Sequence, residues 1–198
     1  ECLAYGELSL YEPRREDQLR IRHMMQDGMG NMRLQFERLK EKLLKEGLFE
    51  ESRKKTLPPL ARRIAIITSA SGAALQDFLS ILKRRGWNGS VFLFHSSVQG
   101  KDAPVALIEA LKHATSFSGI DLIVLARGGG SIEDLWAFND ESLVRQVADC
   151  PIPTISAVGH QTDFVLTDFG ADFRAETPSA AAEWISSEHV RLGKKLEE

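Results

Sequence analysis

Three short polar segments hold the residue types that phosphoryl chemistry needs. The first is Thr68-Ser69-Ala70-Ser71-Gly72, which leads to Asp77; the second is Arg127-Gly128-Gly129-Gly130-Ser131; the third is Gly159-His160-Gln161-Thr162-Asp163. Glycines let backbone N–H groups crowd an anion without side-chain obstruction. Arg127 beside them carries a planar fork that matches phosphate oxygens. The same glycines also make a plain tight turn, and neither a Walker A loop nor a complete GxGxxG is present. His160 is the candidate for proton transfer, because imidazole titrates near neutrality. Asp163, three residues on, can orient the ring, hold a metal ion or cap the helix that follows. Asp77 falls about one turn into its helix, where a carboxylate also complements the helix dipole. The other histidines stand in less telling settings: His23 ends a strand, His95 follows one, and His113 and His189 sit on charged helices. Trp136, Phe138 and Trp184 read as core rather than as base-stacking residues.

Each polar segment follows a short apolar run. Ile64 to Thr68, Val91 to Phe94, Asp121 to Leu125 and Pro153 to Ala157 read as strands, with amphipathic stretches at Ala74 to Arg85 and Pro104 to His113 between them. Asn139 or Asp140 can cap a further helix running to Ala148. Near-continuous apolar strands alternating with helices predict an α/β fold, a Rossmann-like parallel sheet of about four or five strands covered by helices on both faces. In such sheets ligands bind at the carboxyl ends of the strands, which is where all three polar segments fall.

Residues 1–26 differ in style. Leu8 and Leu10, then Leu19 and Ile21, flank Glu12-Pro13-Arg14-Arg15 as the two arms of a β-hairpin. A lone hairpin is marginal in water, so this piece reads as the tail of a larger domain. Met25 to Gly30 reads as a breaker. A helix follows from Asn31 through Leu34, Leu39, Leu43 and Leu44 to a stop at Gly47, then a basic, proline-ended linker to Pro59. The expected organisation is hairpin at 1–26, helix and linker at 27–59, the α/β domain at 60–176 and a final helix at 177–198. Thr177-Pro178 starts that helix, with Thr as N-cap and Pro at the first position. The chain is expected to be a fragment cut at both ends.

Composition narrows the classes. Net charge is −3, with 14 Lys and Arg against 11 Asp and Glu in residues 1–63 and 11 against 17 in the rest. The basic front reads as solvated helix surface more readily than as a phosphate track. Cys2 and Cys150 belong to no disulfide framework and no Cys/His cluster, which argues against zinc and for a reducing compartment. No apolar run approaches the roughly 18 residues of a membrane span, and no signal-peptide pattern opens the sequence.

Longer motifs surround the three segments. They run Ile67-Thr68-Ser69 through Gly72-Ala73-Ala74 to Asp77, Arg127-Gly-Gly-Gly-Ser-Ile-Glu-Asp-Leu-Trp-Ala-Phe-Asn139, Ser156-Ala-Val-Gly-His-Gln-Thr-Asp163, Ala171-Asp-Phe-Arg-Ala175 and Thr177-Pro-Ser-Ala-Ala181. Over roughly residues 8–198 the chain resembles the large subunit of exodeoxyribonuclease VII. The resemblance implies processive degradation of single-stranded DNA from either end to oligonucleotides with 5′-phosphates, in the cytoplasm. It also implies an N-terminal OB-fold ending in the hairpin, a catalytic α/β domain, and a C-terminal helical region that binds several copies of a small helical subunit. Its catalytic positions fall on Asp77, Arg127, His160 and Asp163. Around them Ser69, Ser71, Gly72, Gly128, Gly129, Gly130 and Ser131 are the candidate phosphate-binding residues. No metal site is assigned; Mg²⁺ is left open, with Asp77 and Asp163 as the carboxylates available to it. Two positions depart from the family pattern: Gln161 stands where Glu is usual, removing a charge beside His160, and Arg15 stands where Gly is usual. Two rival readings remain at this level, a non-catalytic scaffold for single strands and a Rossmann-type phosphosugar or nucleotide-binding enzyme.

Overall fold

The computed structural model describes residues 2–11, 16–130, 132–159 and 164–197. They divide into two units, Glu1–Lys42 and Leu43–Glu198. In the first unit β1 (Cys2–Tyr11) and β2 (Glu16–Gln26) pair antiparallel, with Leu8 opposite Leu19. The expected hairpin is present. Its register shifts at Tyr5 and Gly6, and a Cβ at Gly6 would strike the Arg20 carbonyl, so only glycine lets the strands close there. Helix α1 (Asp27–Lys45) then starts four residues earlier than Asn31. Gly28 and Gly30 occupy its opening turns rather than breaking it, because a helical glycine costs only about 1 kcal/mol and the following residues are strong helix formers.

The second unit is an α/β domain built on five parallel strands. They are β3 (Arg63–Thr68), β4 (Ser90–His95), β5 (Leu122–Ala126), β6 (Thr154–Ala157) and β7 (Phe173–Arg174), in the order β4-β3-β5-β6-β7. Between and after them run α2 (Ala73–Arg84), α3 (Ala103–Ser116), α4 (Ile132–Leu135), α5 (Glu141–Ala148), α6 (Leu166–Gly170) and α7 (Pro178–Glu197). The strands are apolar on both faces because each face meets helices. Ala65 and Ile67 of β3, with Ile123 and Leu125 of β5, pack against Leu107, Leu111, Leu143 and Val147 of α3 and α5. Ile64, Ile66, Leu122 and Val124 point the other way, onto Leu75, Phe78 and Leu82 of α2 and Ala181, Ala182 and Ile185 of α7. Phe138 is fully buried in the core, and Trp184, partly buried, packs on Phe173 at 5.2 Å against the other face's core.

The caps follow the sequence with one exchange. Asp140 accepts from the Leu143 N–H at 3.0 Å and caps α5. Thr177 Oγ1 accepts from the Ala180 N–H at 3.0 Å and starts α7. Asn139 instead accepts from the Leu166 N–H at 2.8 Å, fixing the beginning of α6. The two-residue β7 is too short to show a strand pattern in sequence. It is held by the Asp172 carboxylate, which takes the Thr154 N–H and hydroxyl at 2.8 and 3.0 Å. The basic linker is stitched to the same region: Lys54 Nζ donates to the Phe169 and Ala171 carbonyls, and the Lys55 N–H to Asp172. Burial lowers the Lys54 pKa against the opposing pull of Asp172. Part of the basic front is thus internal fastening.

Asp168 anchors the far side of the β6 exit. Its carboxylate accepts from the Ser156 hydroxyl (2.6 Å), the Val165 N–H (3.1 Å) and Arg174 Nε (3.2 Å), and Arg174 lies over the Phe164 ring at 4.0 Å. Burial pushes the Asp168 carboxyl above its ordinary value, with the Ser156 and Val165 hydrogen bonds and Arg174 pulling it back. A carboxyl raised in the folded state favours folding while it is protonated in both states. That contribution is lost as pH rises from the unfolded carboxyl value through the higher folded one. The stability gap between parent and Asp168→Asn is therefore expected to move in the variant's favour as pH rises above the ordinary carboxyl value, read by urea unfolding. A shift the other way would show Asp168 held as a low-pKa anion.

Candidate functional site

The carboxyl ends of β4, β3 and β5 frame one cleft of about 390 Å³. From β3 come Thr68 and Ser69, from the first turn of α2 Gly72 to Ala74, and from β5 Arg127, Gly128 and Gly129. The chain reaches α2 through a tight turn in which the Gly72 N–H donates to the Ser69 carbonyl at 3.1 Å. No side chain caps α2 and no acidic residue lies in its first turn. A helix start leaves its first N–H groups without intrahelical partners and carries partial positive charge, which makes this end of α2 receptive to an anion.

Arg127 supplies the second, independent element. Its side chain is only 4% exposed, and Nη2 meets the half-exposed Asp134 carboxylate at 3.1 Å. Nη1 is buried without any hydrogen-bond partner among the described residues. An unsatisfied buried donor costs about 1–3 kcal/mol, more when charged, which makes this nitrogen a candidate donor to a ligand. The backbone there is set by β6, since the Arg127 N–H donates to the Ala157 carbonyl at 3.2 Å. Gly130 leaves the guanidinium its place: a Cβ there would force the end of the Arg127 side chain to shift. The triple glycine therefore makes room for the arginine, and its first two members line the cleft.

The cleft gathers Ser69, Gly72, Arg127, Gly128 and Gly129. Ser71 and Gly130 support it from outside the lining, Ser71 with its hydroxyl 3.3 Å from that of Ser69. Asp77 is exposed and does not line the cleft. It stands at i+4 from Ala73, on that face of α2 and one turn, about 5.4 Å, farther along. Ser131, His160, Gln161 and Asp163 lie outside the described residues, as does Arg15. Among the described residues no three His, Cys, Asp or Glu side chains gather closely enough for a metal ion. Cys150 is buried, its thiol pushed up by burial, and is remote in character from a nucleophile. No helix of the described residues is long and apolar enough to cross a membrane.

Sequence reasoning passed over the β4 side of the cleft, His95 and residues 97–99. His95, at the end of β4, accepts the Ala70 N–H at Nδ1 (3.1 Å) and lines the cleft with Ser97 and Gln99. Its strand-end position is the same signal that singled out His160, but no glycine or acidic neighbour drew attention to it.

Fold and site together define a parallel α/β domain with a cleft, lined by Arg127 and the start of α2, at the carboxyl edge of its sheet. Residues 48–198 match the family model described as exonuclease VII, large subunit, and the chain belongs to that family. It is similar to the exodeoxyribonuclease 7 large subunit of Legionella pneumophila strain Corby, at 52% identity over 97% of this chain and 43% of that protein. The same-named proteins of Halothermothrix orenii and Bacillus cereus strain AH187 are 49% and 46% identical, over 98% and 99% of this chain and 48% and 43% of theirs. The chain thus spans less than half the length of these curated relatives. Among solved structures it is similar to the Francisella novicida lysine decarboxylase LdcF, at a TM-score of 0.37 and 14% identity over 69% of this chain and 18% of that one.

Proposed function

We propose that the α/β domain is the catalytic part of a nuclease that hydrolyses phosphodiester bonds of single-stranded DNA from either end, leaving 5′-phosphates, in DNA degradation and repair. The observation that carries this reading is the buried Arg127 Nη1, without a partner among the described residues, beside the uncapped start of α2. Arg127 and the Gly128–Gly130 backbone take the scissile phosphate and stabilise the charge that grows on it. Water attacks phosphorus and the bond to the 3′-oxygen breaks; the water proton leaves to a base and a proton reaches the departing oxygen. His160 is the proposed base or acid, with Asp163 and Asp77 orienting it and the water. A divalent ion such as Mg²⁺, if held by Asp77 and Asp163, would offset phosphate charge. Family membership supports this reading over the phosphosugar one. The proposed setting is cytoplasmic, and the proposed partners are single-stranded DNA and several copies of a small helical subunit, bound by the helical region that α7 begins.

The test is end-labelled single strands incubated with the full-length large subunit and its small subunit, with and without chelator. Shortening from both labelled ends to 5′-phosphorylated products is expected. Binding without cleavage would instead support a DNA-holding scaffold, with Gln161 as the first position to revert to Glu.

A further inference from the structure

We propose that the exit of β4, through His95 Nε2 and the Gln99 side-chain amide, binds the nucleoside adjoining the phosphate that Arg127 takes. This rests on the phosphate reading of the cleft. The cleft is larger than that phosphate requires: about 390 Å³ falls in the ~300–1,000 Å³ range of sites that enclose whole small molecules. Its two flanks also differ in chemistry. The β5 and α2 side offers a guanidinium and helix-end N–H groups. The β4 side offers His95, Ser97 and Gln99, with no charged residue among them. In the strand order β4-β3-β5 these flanks stand two strand spacings apart, roughly 10 Å at the backbone. Charged and N–H groups suit phosphate oxygens, whereas neutral donors and acceptors suit sugar and base edges.

The His95 part of the β4 side is also fixed in advance. The Ala70 N–H donates to His95 Nδ1 at 3.1 Å, so the neutral ring carries its proton on Nε2, a donor with no partner among the described residues. The Ser96 N–H donates to the Thr68 carbonyl at 3.1 Å, and the buried Ser96 hydroxyl to the Ser97 carbonyl at 2.9 Å. Groups held this way lose little freedom when a ligand arrives.

The experiment compares the parent with His95→Asn, His95→Gln, Gln99→Ala and Arg127→Gln in the full-length two-subunit enzyme on a single-stranded oligonucleotide, across a salt series. Asn keeps an acceptor for the Ala70 N–H and loses the outer donor; Gln keeps an N–H near the Nε2 position. His95→Asn and Gln99→Ala are expected to raise KM about tenfold with kcat within about twofold, and His95→Gln to recover to within about threefold of parent. The salt dependence of binding should be unchanged in these three and shallower by about one charge in Arg127→Gln. Parental KM in both His95→Asn and Gln99→Ala overturns the proposal. A shallower salt slope in the His95 variants also overturns it, pointing to a second phosphate contact. Parental cleavage and slope in Arg127→Gln would remove the phosphate reading itself, whatever the His95 variants do.

Discussion

Arg127→Gln is expected to lower single-strand cleavage by the assembled enzyme roughly 100- to 1,000-fold, the usual effect of removing one donor aimed at developing negative charge. The fold should survive it, at equal or higher thermal stability. Arg127 keeps one guanidinium nitrogen buried and without a partner among the described residues, and its other nitrogen meets a half-exposed Asp134. Replacing it by a neutral amide removes that unsatisfied donor, a relief of about 1–3 kcal/mol set against lost packing. A side chain that weakens the fold yet is needed for turnover is the signature of a site strained for function. Inorganic phosphate should raise the melting temperature of the parent and not of the variant. Gly130→Ala supplies a control that leaves Arg127 in the sequence: the added Cβ must displace the guanidinium, so cleavage should fall with little loss of stability. A variant at Arg127 that unfolds, or that cleaves like the parent, would each contradict this account.

His160→Ala is expected to cost about 100-fold or more in kcat, the range of a positioned acid or base. The structure describes both ends of the segment that bears it. Val158 is buried at the end of β6, and the chain resumes where Val165 donates to Asp168 and Leu166 to Asn139, at 3.1 and 2.8 Å. Those two hydrogen bonds anchor the backbone just beyond Asp163. A histidine acting as acid or base also shapes the pH–rate profile, so His160→Ala should flatten one limb of it in addition to lowering the plateau. Near-parental cleavage by that variant in the full complex would remove His160 from the mechanism.

Much of the scaffold was legible because the strands carry their burial in their sequence. Ile64-Ala-Ile-Ile67 and Leu122-Ile-Val-Leu125 are apolar at every position, which only a sheet covered on both faces allows. Asp140 and Thr177 were legible because capping chemistry is local. What escaped was non-local. Asn139 looks like a cap but reaches Leu166, far along the chain, and β7 exists because Asp172 ties it beside Thr154 rather than through any strand pattern. The start of α1 escaped because two glycines look like a breaker while costing little at a helix beginning. At the site, the glycines and Arg127 were legible as a candidate phosphate site, but nothing in the sequence distinguishes the cleft-lining Gly128 and Gly129 from Gly130, which yields its space to Arg127. His95 was missed because its cleft position depends on β4 lying beside β3, a pairing no local pattern encodes.

The central claim is that Arg127 and His160 act on one phosphorus. A double-mutant cycle on single-strand cleavage by the full-length two-subunit enzyme tests it most directly, with Arg127→Gln, His160→Ala and the two together. Residues serving one chemical step are strongly non-additive, so the double variant should cleave about as slowly as the worse single variant. Losses that multiply, so that the double variant falls by the product of the two single effects, would place the two residues in independent roles.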